Sequence, residues 1–133
     1  MFVKLAKDET AQSMVELALV LPVLLLILFG IVEFGRIFHS YMVIANAARV
    51  GARVGAIKNS DSQIVSAVEG AVQPSSLDLN SLTINITPNQ SNRSSGDSLT
   101  VEVDYEVDLF VPVITNLLPD PFPISSTMVM RVE

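Results

Sequence analysis

The chain has 133 residues, a net charge of −6, half of its residues hydrophobic and no cysteine. That composition excludes disulfides, thiol nucleophiles and Cys-ligated metals, and it leaves about 100 residues for one small domain once a membrane segment is set aside. Mean hydropathy is +0.49, raised by a single apolar run near the N-terminus.

Charge is unevenly placed. Arg36, Arg49, Arg53 and Lys58 are the only charges in residues 36–58, whereas residues 59–133 hold ten acidic residues against Arg93 and Arg131. A basic stem leads into an acidic head, and an acidic head is a poor match for nucleic acid.

Residues 11–32 read AQSMVELALVLPVLLLILFGIV, with no charge after Glu16. Crossing a bilayer core of about 30 Å takes roughly 20 apolar helical residues, and residues 14–32 supply them. Glu16 is the anomaly. A carboxylate in hydrocarbon costs roughly 2.5 kcal/mol or more, so it needs either a partner or a position where it reaches the interface. Pro22 removes one backbone hydrogen bond and favours a kink, which membrane helices tolerate.

Three readings of this N-terminus compete. A secretory signal peptide fits Lys4 and Lys7, but Glu33-Phe34-Gly35-Arg36 follows the apolar run and the nearest Ala-x-Ala, Ala45 to Ala47, is far downstream. An uncleaved signal anchor fits the hydrophobicity and leaves Glu16 unexplained. A prepilin-type leader, cut between Ala11 and Gln12, makes Glu16 the fifth residue of the mature chain. The new α-ammonium and the Glu16 carboxylate of adjacent subunits then neutralise each other and set a register for assembly. Lys4 and Lys7 face Arg36 and Arg49 across the span, so loop charge does not settle orientation; the short tail is expected in the cytoplasm.

The helical pattern continues past the span. Phe34, Ile37, Phe38, Tyr41, Ile44, Ala45, Ala48 and Ala52 recur at three- and four-residue steps, which predicts one helix over residues 13–57, roughly 65 Å long. Small residues line its far part: Ala48, Ala52 and Ala56, with Ala47, Gly51 and Gly55 beside them. Such rows let helix backbones approach closely, either against the chain's own sheet or against another subunit nearer the membrane.

Residues 58–61 break the helix, and Ser60 with Gln63 matches a capping box opening a short amphipathic helix over residues 61–73. The period then changes to two. Leu82, Ile84 and Ile86 predict one strand; Leu99, Val101, Val103, Tyr105, Val107 and Leu109 a second; residues 127–132 a third. Residues 89–98 form a polar loop, and residues 110–123, with four prolines, read as an apolar crossover that is not a central strand. The expected fold class is α+β: a long membrane-spanning helix, a short second helix and a small antiparallel sheet of about three strands. Residues 1–11 would be a leader, 12–57 the transmembrane helix and stem, and 58–133 an extracytoplasmic head.

Catalytic chemistry finds little support. His39 is the single histidine, with no acid–base pair or nucleophile motif around it. Glu102, Asp104, Glu106 and Asp108 alternate on one strand about 6.8 Å apart, too spread for one calcium ion without loop oxygens, and fit a solvated face. The three Asn-x-Ser/Thr matches at Asn85, Asn89 and Asn92 carry no weight in a loop of this composition.

The run AQSMVELALVLP (residues 11–22) resembles the N-terminus of TadE-like pseudopilins of tight-adherence (Flp-type) pili. So do GIVEFGR (residues 30–36) and NAARVGAR (residues 46–53). Ala11 stands where family members typically have Gly, and Leu17 where Phe or Tyr is common. The resemblance implies a pilin-like fold and a minor pseudopilin, not an enzyme, needing no cofactor, metal, nucleic acid or small-molecule substrate. It implies trimming by a prepilin peptidase at Ala11–Gln12, with Glu16 serving assembly; helix packing by Ala47, Ala48, Gly51, Ala52 and Gly55 is the expectation from their spacing. Its partners would be the membrane, other pilins or pseudopilins and pilus-assembly proteins. The location implied is the bacterial inner membrane, single-pass, N-terminus cytoplasmic.

Overall fold

The computed structural model describes residues 9–133. Most of the expected leader therefore lies outside the described residues. Helix α1 runs unbroken from Glu9 to Lys58, passing through Pro22 without losing its helical course. It opens with an acid in its first turn, where the helix dipole favours negative charge, and the Ser13 hydroxyl donates back to the Glu9 carbonyl at 2.8 Å. The helix thus begins ahead of the expected cut instead of after it.

α1 ends where Asn59 takes a left-handed conformation (φ 49°) and donates its N–H to the Gly55 carbonyl at 3.0 Å. Asn is among the few residues that visit this region at low cost. α2 spans Asp61–Val72, and a 3₁₀ turn at Gln73–Ser75 carries Pro74. The expected capping box does not form. Ser60 holds the N-cap backbone position, yet its side chain makes no capping bond and its hydroxyl pairs with that of Ser62 at 3.1 Å. The orphan N–H of Asp61 is taken from outside the helix by Gln90 Oε1, at 3.2 Å.

Three antiparallel strands follow: β1 (Leu82–Thr87), β2 (Ser98–Val107) and β3 (Phe122–Arg131), with β2 central. The register aligns Val101 with Ile86 and Met128, Val103 with Ile84 and Ser126, and Tyr105 with Leu82 and Ile124. These side chains share the face that packs on α1. β3 begins five residues earlier than its clean alternation suggested, and Pro123 lies within it, opposite Glu106. An edge strand leaves one row of backbone groups without ladder partners, so a missing N–H is tolerated there. Between β2 and β3 the apolar crossover folds one short helix, α3 (Pro112–Thr115).

The core sits between the far half of α1, α2 and the inner sheet face. Ile44, Ala47, Ala48 and Ala52 of α1 meet Ile64, Val68 and Val72 of α2 and Leu99, Val101 and Val103 of β2, all fully buried. The stem is therefore the central element of the head, not a spacer below it. The stripe read from the sequence is covered only along its far part. Ile44, Ala48 and Ala52 turn into the core, whereas Phe34, Phe38 and Tyr41, nearer the apolar run, remain exposed.

Candidate assembly site

The apolar half of α1 is bare. Residues 14–32 cover about 28 Å at 1.5 Å per residue, a bilayer core's thickness, and their large side chains are exposed along the whole length. By length and composition α1 is able to cross a membrane, and none of its apolar window is covered by the rest of the chain.

Ala11, Gln12 and Glu16 lie on its first turns. Gln12 Nε2 donates to Glu16 Oε1 at 3.3 Å, one turn apart on the same face. Among the described residues Glu16 has no cationic partner. The other sequence-derived residues are remote: Ala47 lies 31 positions, about 46 Å, further along the same helix.

Ala47, Ala48, Gly51, Ala52 and Gly55 are all buried within this chain. A Cβ added at Gly51 would come 3.4 Å from Ile64 Cγ2 and 3.5 Å from Val101 Cγ1, and one at Gly55 would overlap Leu99 and sit 2.6 Å from Ile64 Cδ1. Glycine here lets α1 approach α2 and β2 at once. The row serves the chain's own fold and presents no surface to a second subunit.

A second constellation was not foreseen. Glu33, only 2% exposed, accepts from Arg36 Nη1 at 2.9 Å and from the Phe110 N–H at 3.4 Å. Arg36 Nη2 donates to the Asp108 carbonyl at 3.2 Å, and its guanidinium stacks 4.2 Å from the Phe110 ring centre. These bonds pin the end of β2 to α1 just where the apolar run stops. In the sequence Glu33 and Arg36 stand out only as part of GIVEFGR (residues 30–36). The available signal was a carboxylate immediately after an apolar run with a cation three residues on, a pair that shares one helix face.

His39 is exposed and borders an open cleft of about 430 Å³ shared with Arg36, Ser40, Tyr105 and Asp108. No acidic or nucleophilic group is hydrogen-bonded to it among the described residues. The carboxylates of Glu102 and Asp104 accept from the neutral donors Ser125 and Asn85, at 3.4 and 3.1 Å, as a solvated face does. Among the described residues no group of three His, Asp or Glu is arranged to hold a metal ion.

A long apolar helix, bare over its first half and buried in a small α+β head over its second, is a pilin-like architecture. Residues 11–53 match the family described as TadE-like protein, so over this segment of α1 the chain is similar to that family. No curated protein and no solved structure matches the chain.

Proposed function

We propose that this chain is a minor pseudopilin that takes part in assembly of a tight-adherence (Flp-type) pilus at the bacterial inner membrane. A prepilin peptidase trims it between Ala11 and Gln12, its N-terminus faces the cytoplasm and its head lies outside. Other pilins or pseudopilins and the inner-membrane assembly proteins are its partners. The observation that carries this reading is the division of α1: a bare apolar half with Glu16 at one end, and a head packed on the other half.

The chemistry of joining follows from Glu16. Trimming creates an α-ammonium at Gln12, which stands one helical turn from Glu16 on the same face. In a row of subunits the ammonium of one chain meets the carboxylate of the next, relieving an intramembrane charge that costs roughly 2.5 kcal/mol or more. Only one staggered arrangement of neighbouring helices brings the two together.

One observation favours a second reading, an uncleaved anchor presenting a small binding domain. The Ala11–Gln12 bond is already helical, and a protease needs extended backbone. Because the first N–H groups of a helix lack intrahelical partners, opening this terminal turn is inexpensive. Intact mass of the membrane-extracted protein, with and without a prepilin peptidase, separates the readings. The proposal expects a chain starting at Gln12, and expects Ala11→Leu to block the cut while insertion continues. Retention of Met1 beside an active peptidase supports the anchor; a start beyond Val32 overturns both.

A further inference from the structure

Besides α1, the head carries an apolar surface of its own. Residues 110–118, FVPVITNLL, contain no charge. Ile114 is buried beneath them, but Phe110 is 72% exposed, Leu117 78%, and Val113 is exposed as well. Exposed apolar groups gathered on one loop mark a contact surface.

The loop's position identifies its partner. The Phe110 N–H is bonded to Glu33 and its ring lies under Arg36, the first charged residues after the apolar run. Val111 and Pro112 face Phe29 and Val32 across a cleft of about 290 Å³. Phe29 and Val32 belong to the last turn of the apolar run, so the loop reaches down to the level at which α1 leaves hydrocarbon. Phe34 and Phe38 are exposed on α1 at that level, and exposed Phe and Leu side chains can seat at the headgroup–acyl boundary.

We propose that residues 110–118 dock on the bilayer, with Phe110, Val113 and Leu117 seated at the headgroup–acyl boundary of the leaflet on the head's side. This rests on the reading that α1 spans the membrane, and it adds a second point of attachment. The contact is apolar, because the loop lacks cations. Asp108 and Asp120 flank it, and Asp120 Oδ1 is occupied by the Leu109 N–H at 3.2 Å. Neutral lipid therefore suffices, and salt should not release the loop. A subunit leaving the bilayer must then free its loop as well as its helix.

The chain contains no tryptophan, so a single introduced one reports its own surroundings. The full chain carrying Leu117→Trp is reconstituted in phosphatidylcholine vesicles with brominated acyl chains, with Leu25→Trp marking the span and Gln63→Trp the far end of the head. The proposal expects strong quenching at Leu25→Trp, quenching at Leu117→Trp several-fold above that at Gln63→Trp, and no change in high salt. Val113→Trp should agree, which guards against a local disturbance at one site. If Leu25→Trp is quenched while both loop reporters match Gln63→Trp, the docking is wrong and the span stands. A loop reporter with blue-shifted emission and no quenching indicates a protein occupant, such as a second copy, and also overturns it. An unquenched Leu25→Trp removes the spanning reading, and the docking with it.

Discussion

Arg93 and Asp61 form an ion pair across 32 positions of sequence, and the Arg93 side chain is fully buried in making it. Arg93 Nε also donates to Asn59 Oδ1 at 2.6 Å and Nη1 to the Pro88 carbonyl at 3.3 Å. One guanidinium thus joins the end of α1, the start of α2 and the loop between β1 and β2. Asp61 completes the junction by accepting the Gln90 N–H at 3.0 Å.

Removing this guanidinium leaves several polar groups without partners. Arg93→Met, which keeps much of the volume, is expected to destabilise the head by about 2–3 kcal/mol, at the lower end for a buried pair because Asp61 is partly exposed. Denaturant unfolding of the detergent-solubilised chain measures it. A loss below that of ordinary surface substitutions would mean the junction contributes little.

Glycines of the two helices should respond in opposite directions. Gly55→Ala forces a Cβ into Leu99 and Ile64 and is expected to cost about 1–2 kcal/mol even after its gain in helix propensity. Gly70→Ala on α2 meets nothing within 4 Å and should stabilise by about 0.5–1 kcal/mol. Thermal melts of the two variants side by side test the assignment of the small-residue row to internal packing.

The Glu33 junction should govern how firmly the lower head holds the helix. Glu33→Gln keeps an acceptor for the Phe110 N–H but loses the charge facing Arg36, whose side chain is 37% exposed. The expected loss is about 1 kcal/mol, limited by that exposure. Faster amide exchange confined to residues 108–111 would be its signature, with the distal head unchanged.

Glu16 should matter for association and not for folding. Glu16→Ala removes an insertion cost, so membrane level and head stability should not fall, while crosslinking to partner pilins should drop. Wild-type crosslinking in this variant would refute the pairing role.

Much of the architecture was legible because it rests on local periodicity. An uncharged run of bilayer length, a 3.6-residue stripe and strict alternation from Leu99 to Val107 each specify an element and its buried face without help from distant residues. The same locality made Glu16 conspicuous, since a carboxylate beside an apolar run stands out whatever the fold. Tertiary structure decided what depends on partners far away in sequence. Gly51 and Gly55 suit a neighbouring subunit and an internal sheet equally by spacing, and only the approach of Val68, Ile64 and Leu99 assigned them to the interior. Ser60 makes no capping bond because its hydroxyl pairs with that of Ser62, and the Asp61 N–H is instead met by Gln90, 29 residues on. β3 extended back through Pro123 because the sheet placed it at an edge, a fact no single strand carries. By sequence Glu33 and Arg36 are one more charged pair on a helix; only the fold brings Phe110 to them, and with it the apolar loop of residues 110–118.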